Sequence, residues 1–338
     1  MQLNIKHLHT TQNLLTLKIR LCHNLKLSLQ TIMDKEKRNG HIAVFAANIL
    51  FGLNTPVSRS LIPEIVDPYL LSFLRLCGGM ILFWMASAFV REKVSKKDIL
   101  LLFFAAILAL TTNQLPFIIG LSMTSPIDAS IVVTMLPILS MLFAAVFIKE
   151  PITLKKTLGV LTGASGALLL VFSQSNDSGS GNMWGNLIIF GAVMSFALYL
   201  TLFKRLISRY KPVTIMKWMF LFATIQSFPF CVDSFSTANF ESFSTLTILK
   251  ILYVVVIATF VTYILLAVGQ KALRPTTLSM YNYLQPVVAA LAAVLMGIDS
   301  FGVEQLLAAI LVFAGVYMVT RSKSREDIEK EKAQSKSS

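Results

Sequence analysis

"LPILSMLFAAVFIKEPITLKKTLGVLTGASGALLL", residues 136–170, and "LQPVVAALAAVLMGIDSFGVEQLLAAILVFAGVYMV", residues 284–319, follow one plan. A proline sits near the start of an apolar stretch, an acidic residue marks a short turn, and a glycine-containing apolar stretch follows. A shift of 149 residues places Pro137 on Pro286, Leu142 on Leu291, Ala144 on Ala293, Glu150 on Asp299, Leu158 on Leu307 and Gly166 on Gly315. Towards the N-terminus the same shift joins Gly120 to Gly269, Pro126 to Pro275 and Ser130 to Ser279, with no gap. Matches that hold one spacing over this length mark an internal repeat rather than shared composition.

What surrounds the repeat decides its environment. Of the 338 residues, 55% are hydrophobic and 14% charged, and the mean hydropathy of +0.70 is far above that of a water-soluble chain. A hydrocarbon layer about 30 Å thick takes roughly 20 apolar helical residues. Windows of that kind fall at 41–62, 68–90, 98–121, 127–148, 156–173, 186–206, 212–232, 248–270, 276–297 and 303–320. The fold class expected is an all-α polytopic membrane protein of ten transmembrane helices.

The net charge of +13 suggests nucleic acid until the charges are placed. Segments 1–40, 91–98, 149–156, 204–211, 271–275 and 321–338 hold 7, 4, 3, 4, 2 and 6 Lys/Arg, which is 26 of the 30. The alternate loops, 63–67, 122–126, 174–185, 233–247 and 298–302, hold none, while carrying Glu64, Asp67, Asp177, Asp233, Glu241 and Asp299. Positive charge stays on the cytosolic side of a membrane, so both termini are expected there and no nucleic-acid partner is. Five spans per half is an odd number, so the second half enters with opposite orientation, as inverted-repeat transporters do. The divisions expected are a cytoplasmic segment 1–40, repeat one at 41–172, an extracytoplasmic linker at 173–185, repeat two at 186–320 and a charged tail at 321–338. "MDKEKRNGHIAVF" from Met33 reads like a start, and residues 1–32 are expected to be disordered or to lie on the membrane surface as an amphipathic segment.

The paired stretches resemble the two EamA repeats of the drug/metabolite transporter superfamily. "DPYLLSFLR", Asp67 to Arg75, resembles that family's second helix. The resemblance implies a transporter and leaves its substrate open, because the family is similar to exporters of amino acids, metabolites and drugs and to sugar-nucleotide carriers. The second repeat departs from the pattern: Asp299 stands where the family has glutamate, and "KPVTIMKWM" has Met219 in the place of Arg75.

Strongly polar side chains at membrane depth are costly and by default face a cavity or the bundle interior. Those near span centres include Asn48 and Asn54, Thr111 to Gln114, Thr134, Ser195, Tyr199, Thr259, Thr262, Tyr263, and Tyr281 to Gln285. The shift maps Asn113 onto Thr262 and Gln114 onto Tyr263, so both halves put hydrogen-bonding groups at one depth. Pro116, Pro137 and Pro286 lack an N–H and free the carbonyls of Thr112, Val133 and Asn282. Within the "TTNQ" run, Asn113 and Gln114 are expected to face the site and Thr111 and Thr112 to pack between helices. Tyr281 and Tyr283, two apart, cannot face one way.

The reading is an alternating-access transporter that exports a small polar or amphiphilic metabolite such as an amino acid. Asn54, Arg75, Asn113, Gln114, Tyr263, Tyr281, Asn282 and Gln285 are expected to line its path, with Arg75 favouring an anionic group. A lipid-linked-sugar or nucleotide-sugar carrier and a non-transporting membrane scaffold are the alternatives. No span holds a histidine in its interior or an acid near its centre, and Cys22, Cys77 and Cys231 are scattered. No catalytic, metal or cofactor site is therefore expected, nor a buried carboxylate relay. The partners expected are a small-molecule substrate and the lipid bilayer, with homodimerisation left open. The location expected is a bacterial inner membrane.

Overall fold

The structure is a computed structural model that describes residues 34–54, 56–58, 60–62, 65–124, 126–173, 182–236, 238, 240, 243–295, 303–323, 327–329 and 334–335. The readings made for residues 1–32, for the body of the linker and for Asp299 lie outside those residues. Every regular element among the described residues is helical. In hydrocarbon each backbone N–H and C=O must be satisfied within its own segment, which a helix achieves and an open strand does not.

Among the described residues, six helices are long and apolar enough to cross a membrane. They are α1 (Asp34–Ser58), α2 (Pro68–Ser87), α3 (Lys96–Met123), α7 (Met183–Leu202), α9 (Pro212–Ser236) and α10 (Thr245–Ala272). The window at 186–206 ends sooner than expected: the chain leaves α7 at Phe203 and resumes as the short α8 (Lys204–Arg209). The windows at 156–173 and 303–320 fall in α6 (Leu154–Ser173) and α13 (Val303–Thr320).

The two remaining windows are broken, and proline accounts for both breaks. The first divides into α4 (Pro126–Val133) and α5 (Leu136–Phe147). Pro137 cannot bond Val133, so Thr134 and Met135 tighten into three-residue turns, with N–H bonds to Ile131 at 3.2 Å and Val132 at 3.0 Å. The second runs as α11 (Pro275–Met280), a 3₁₀ turn over Tyr281–Tyr283 that ends three residues before Pro286, and α12 (Leu284–Leu295).

Helix starts follow their capping residues. Asp67 accepts from the backbone of Tyr69 at 2.8 Å and Leu70 at 3.2 Å, with Pro68 at the first helical position. Ser95 and Ser244 cap α3 and α10 in the same manner, at 3.1 and 3.2 Å. Inside α3 and α10 the backbone widens to π turns, at Ile107–Thr111 and Tyr253–Val261. Threonine side chains stabilise these wide turns: Thr112 donates to Ile107 O, Thr259 to Val254 O and Thr262 to Ile257 O, each at 2.8 Å across five residues.

Helix pairs α2–α9, α3–α7 and α6–α13 pack most extensively. With lipid as apolar as leucine, such pairs depend on close backbone approach at small residues. A Cβ on Gly120 would meet Ile189 Cγ1 at 2.6 Å and Gly185 O at 2.9 Å; one on Gly269 would meet Val44 and, at 3.4 Å, Gly40 O. A Cβ on Gly166 would lie 2.8 Å from Ala308 O, and one on Gly315 2.6 Å from Gly159 O. Tyr283, 149 residues beyond Thr134, donates to Thr134 O at 3.0 Å.

One buried ion cluster joins distant loops. Lys156, 1% exposed, bonds Glu150 at 2.7 Å and Pro151 O at 2.8 Å. Arg274 approaches Glu150 at 3.5 Å and donates to Ser322 O at 3.1 Å, tying the start of α11 to the end of α13.

Candidate functional site

The eight residues expected along a path fall into two groups around α1 and α3. On one side of α1, Phe51 meets Tyr263 edge-to-face at 6.0 Å between centroids, and Phe220 also meets that tyrosine edge-to-face, at 5.1 Å. Asn54 stands three residues from Phe51, hence on the same side of its helix, buried and with Oδ1 unpartnered. Arg75 of α2 reaches into this region, 8% exposed, and its Nε donates to Thr259 Oγ1 at 3.1 Å. Thr259 lies one turn before Tyr263 on α10. Among the described residues no carboxylate pairs with Arg75.

α1 also meets the broken helix pair α11–α12. Asn48 Oδ1 accepts from Gln285 Nε2 at 2.9 Å while Asn48 Nδ2 donates to Val44 O, so this amide pair is bonded across helices. Nearer the start of α1, His41 Nδ1 lies 2.8 Å from the Tyr281 hydroxyl. Tyr281 and Tyr283 diverge, one to His41 and the other to Thr134 O. Asn282, between them, is half-buried.

The polar run of α3 divides residue by residue. Thr111 donates to Gln226 Oε1 of α9 at 2.6 Å. Thr112 bonds back to Ile107 O and lies 2.6 Å from Ser195 Oγ, which also reaches Leu108 O at 2.9 Å. Asn113 donates to Ala192 O of α7 at 2.9 Å. Gln114 differs: it is 5% exposed, and neither its Oε1 nor its Nε2 has a hydrogen-bond partner. A buried primary amide with no bond costs several kilocalories per mole in hydrocarbon, so its retention suits a group that meets a transient partner.

The residues not anticipated are Thr259, Gln226 and His41. Thr259 and His41 were visible as polar residues of membrane segments, but nothing local tied them to Arg75 or Tyr281, which lie 184 and 240 residues away. At one edge of the bundle Lys217 Nζ rests over Trp84 at 5.3 Å and over Trp218 at 5.8 Å, the pairing expected of an interfacial lysine. Among the described residues no three His, Cys, Asp or Glu side chains cluster as metal ligands.

A model described as the EamA-like transporter family matches residues 38–172 and 183–321. The chain is 21% identical over 306 residues to the uncharacterized transporter YetK of Bacillus subtilis, covering 88% of this chain and 91% of that one. It is 22% identical over 298 residues to the uncharacterized inner membrane transporter YicL of Salmonella typhimurium, covering 85% and 97%. A solved crystal structure superposes with a TM-score of 0.69 at 18% identity, over 83% of this chain and 96% of the other, and so shares the fold.

Proposed function

Because this chain belongs to the EamA-like transporter family, and its relatives carry the names of membrane transporters, we propose that it is an integral membrane transporter which exports a small polar or amphiphilic metabolite, such as an amino acid, by alternating access. Its membrane is the bacterial inner membrane, with both termini cytosolic and ten spans arranged as two inverted five-helix repeats. The paired π turns support that arrangement, since Ile107–Thr111 moved by 149 residues falls inside Tyr253–Val261. So do the glycine contacts: the one between Gly166 and Ala308, moved by 149 residues, becomes the one between Gly315 and Gly159. A contact that becomes a second contact between the same two helices when those helices exchange roles is what a two-fold axis between α6 and α13 produces.

The observation that carries the transport reading is Arg75, buried among helices with no acid beside it among the described residues. A guanidinium cannot discharge itself, so at this depth it calls for an anion that comes and goes. The unpartnered amide of Gln114 and the unpartnered Oδ1 of Asn54 offer hydrogen bonds to the rest of that molecule, and Tyr263 and Phe51 offer aromatic surface. Asn113, Tyr281, Asn282 and Gln285 complete the proposed path. Comparing metabolites released by cells with and without the protein names the substrate. Flux of that substrate then falls in Gln114→Ala and Asn282→Ala at matched expression; unchanged flux in both sinks the proposed path.

A further inference from the structure

Resting on the reading that Arg75 meets the substrate's anionic group, we infer that Thr259 is the positioning residue for that arginine, and that the charged end of the substrate is read at one of the two repeat-related positions only. Thr259 is fully buried within the π turn of α10. Its single hydroxyl proton is spent on Val254 O at 2.8 Å, a carbonyl five residues back. The oxygen's remaining lone pairs can only accept, and Arg75 Nε donates to them at 3.1 Å.

Holding Nε orients the rest of a planar guanidinium. The two Nη groups then project together on the far side, as a fork matched to a carboxylate. The helix approach that permits this is set by Gly79, one turn beyond Arg75. A Cβ there would press on Phe220 at 2.6 Å and on Thr259 Cγ2 at 3.3 Å.

The repeat-related position, formed again by one residue from each half, lacks both members. Asp67–Pro68 aligns with Lys211–Pro212, which places Met219 at the position of Arg75, and the 149-residue shift places Leu110 at that of Thr259. Met219 is buried with its sulfur 3.8 Å from the Tyr199 hydroxyl. Where one position presents a cation held by a hydroxyl, the other presents thioether and hydrocarbon. An occupant lying between them has its carboxylate towards Arg75 and an apolar body towards Met219.

The test is binding to purified full-length protein in detergent, followed by thermal shift, with 3-phenylpropionate and its uncharged amide as probes. Wild type prefers the carboxylate. Thr259→Val, which keeps the shape and loses the acceptor, weakens carboxylate binding by roughly tenfold and shrinks the preference over the amide. Thr259→Ser retains wild-type binding. Wild-type behaviour of Thr259→Val alongside loss in Arg75→Gln overturns the positioning role and leaves the anion reading standing. Failure of the serine variant to rescue also overturns it. Unchanged binding in Arg75→Gln, or a wild type without carboxylate preference, overturns both.

Discussion

Gln114 and Glu150 are both buried polar residues, and their neighbours make opposite predictions for them. Gln114 keeps two hydrogen-bonding atoms without partners. Gln114→Leu removes that burden, so the thermal unfolding midpoint in detergent should hold or rise while substrate flux falls; a lower midpoint with normal flux would mark a structural residue. Glu150 instead neutralises Lys156 in a site only 1% exposed at the lysine. Glu150→Gln leaves that ammonium buried without its partner, at a cost of about 3 kcal/mol. A marked drop in folded yield on size-exclusion chromatography is the expected outcome. The "TTNQ" run shows how far such roles are legible. Thr111 and Thr112 pack as their short hydroxyls suggest, but whether Asn113 or Gln114 finds a carbonyl depends on α7, some 80 residues on.

At the scale of helices, the prolines could be read in the sequence and the π turns could not. Pro137 and Pro286 break their segments because a missing N–H and a ring clash act within one turn. A π turn fits one extra residue into a turn and so rotates everything beyond it by about 100°. Its local mark is a threonine five residues after the carbonyl it bonds, a pattern too common to stand out. Glycine contacts give the sharpest element-scale prediction. Gly315→Val forces side-chain atoms onto the backbone of Gly159 and Gly163, 2.6 Å from where a Cβ would begin. Overpacking of this kind costs about 1–3 kcal/mol or more, and should lower the melting midpoint sharply. Gly191→Ala is the control, since a Cβ there meets nothing within 4 Å. Equal behaviour of the two variants would mean that α6 and α13 can separate freely.

For the whole molecule the prediction concerns sidedness. A cysteine replacing Ser178 in the linker should react with an impermeant maleimide added outside intact cells, and one replacing Ser335 in the tail only after the membrane is opened. Labelling of both from outside would exclude an odd number of spans between them. The long apolar helices and their relation by a 149-residue shift were legible in the chain, because hydropathy and spacing are properties of consecutive residues. Among the described residues, six helices meet the length and composition of a membrane span. The sequence by itself determined that this chain is helical and lipid-solvated, because a backbone in hydrocarbon must bond within its own segment. Only the tertiary structure decided which polar groups are already satisfied and which have no hydrogen-bond partner among the described residues. Those bonds join Arg75 to Thr259, Gln285 to Asn48 and Asn113 to Ala192 across 184, 237 and 79 residues, through helix rotations that no local pattern encodes.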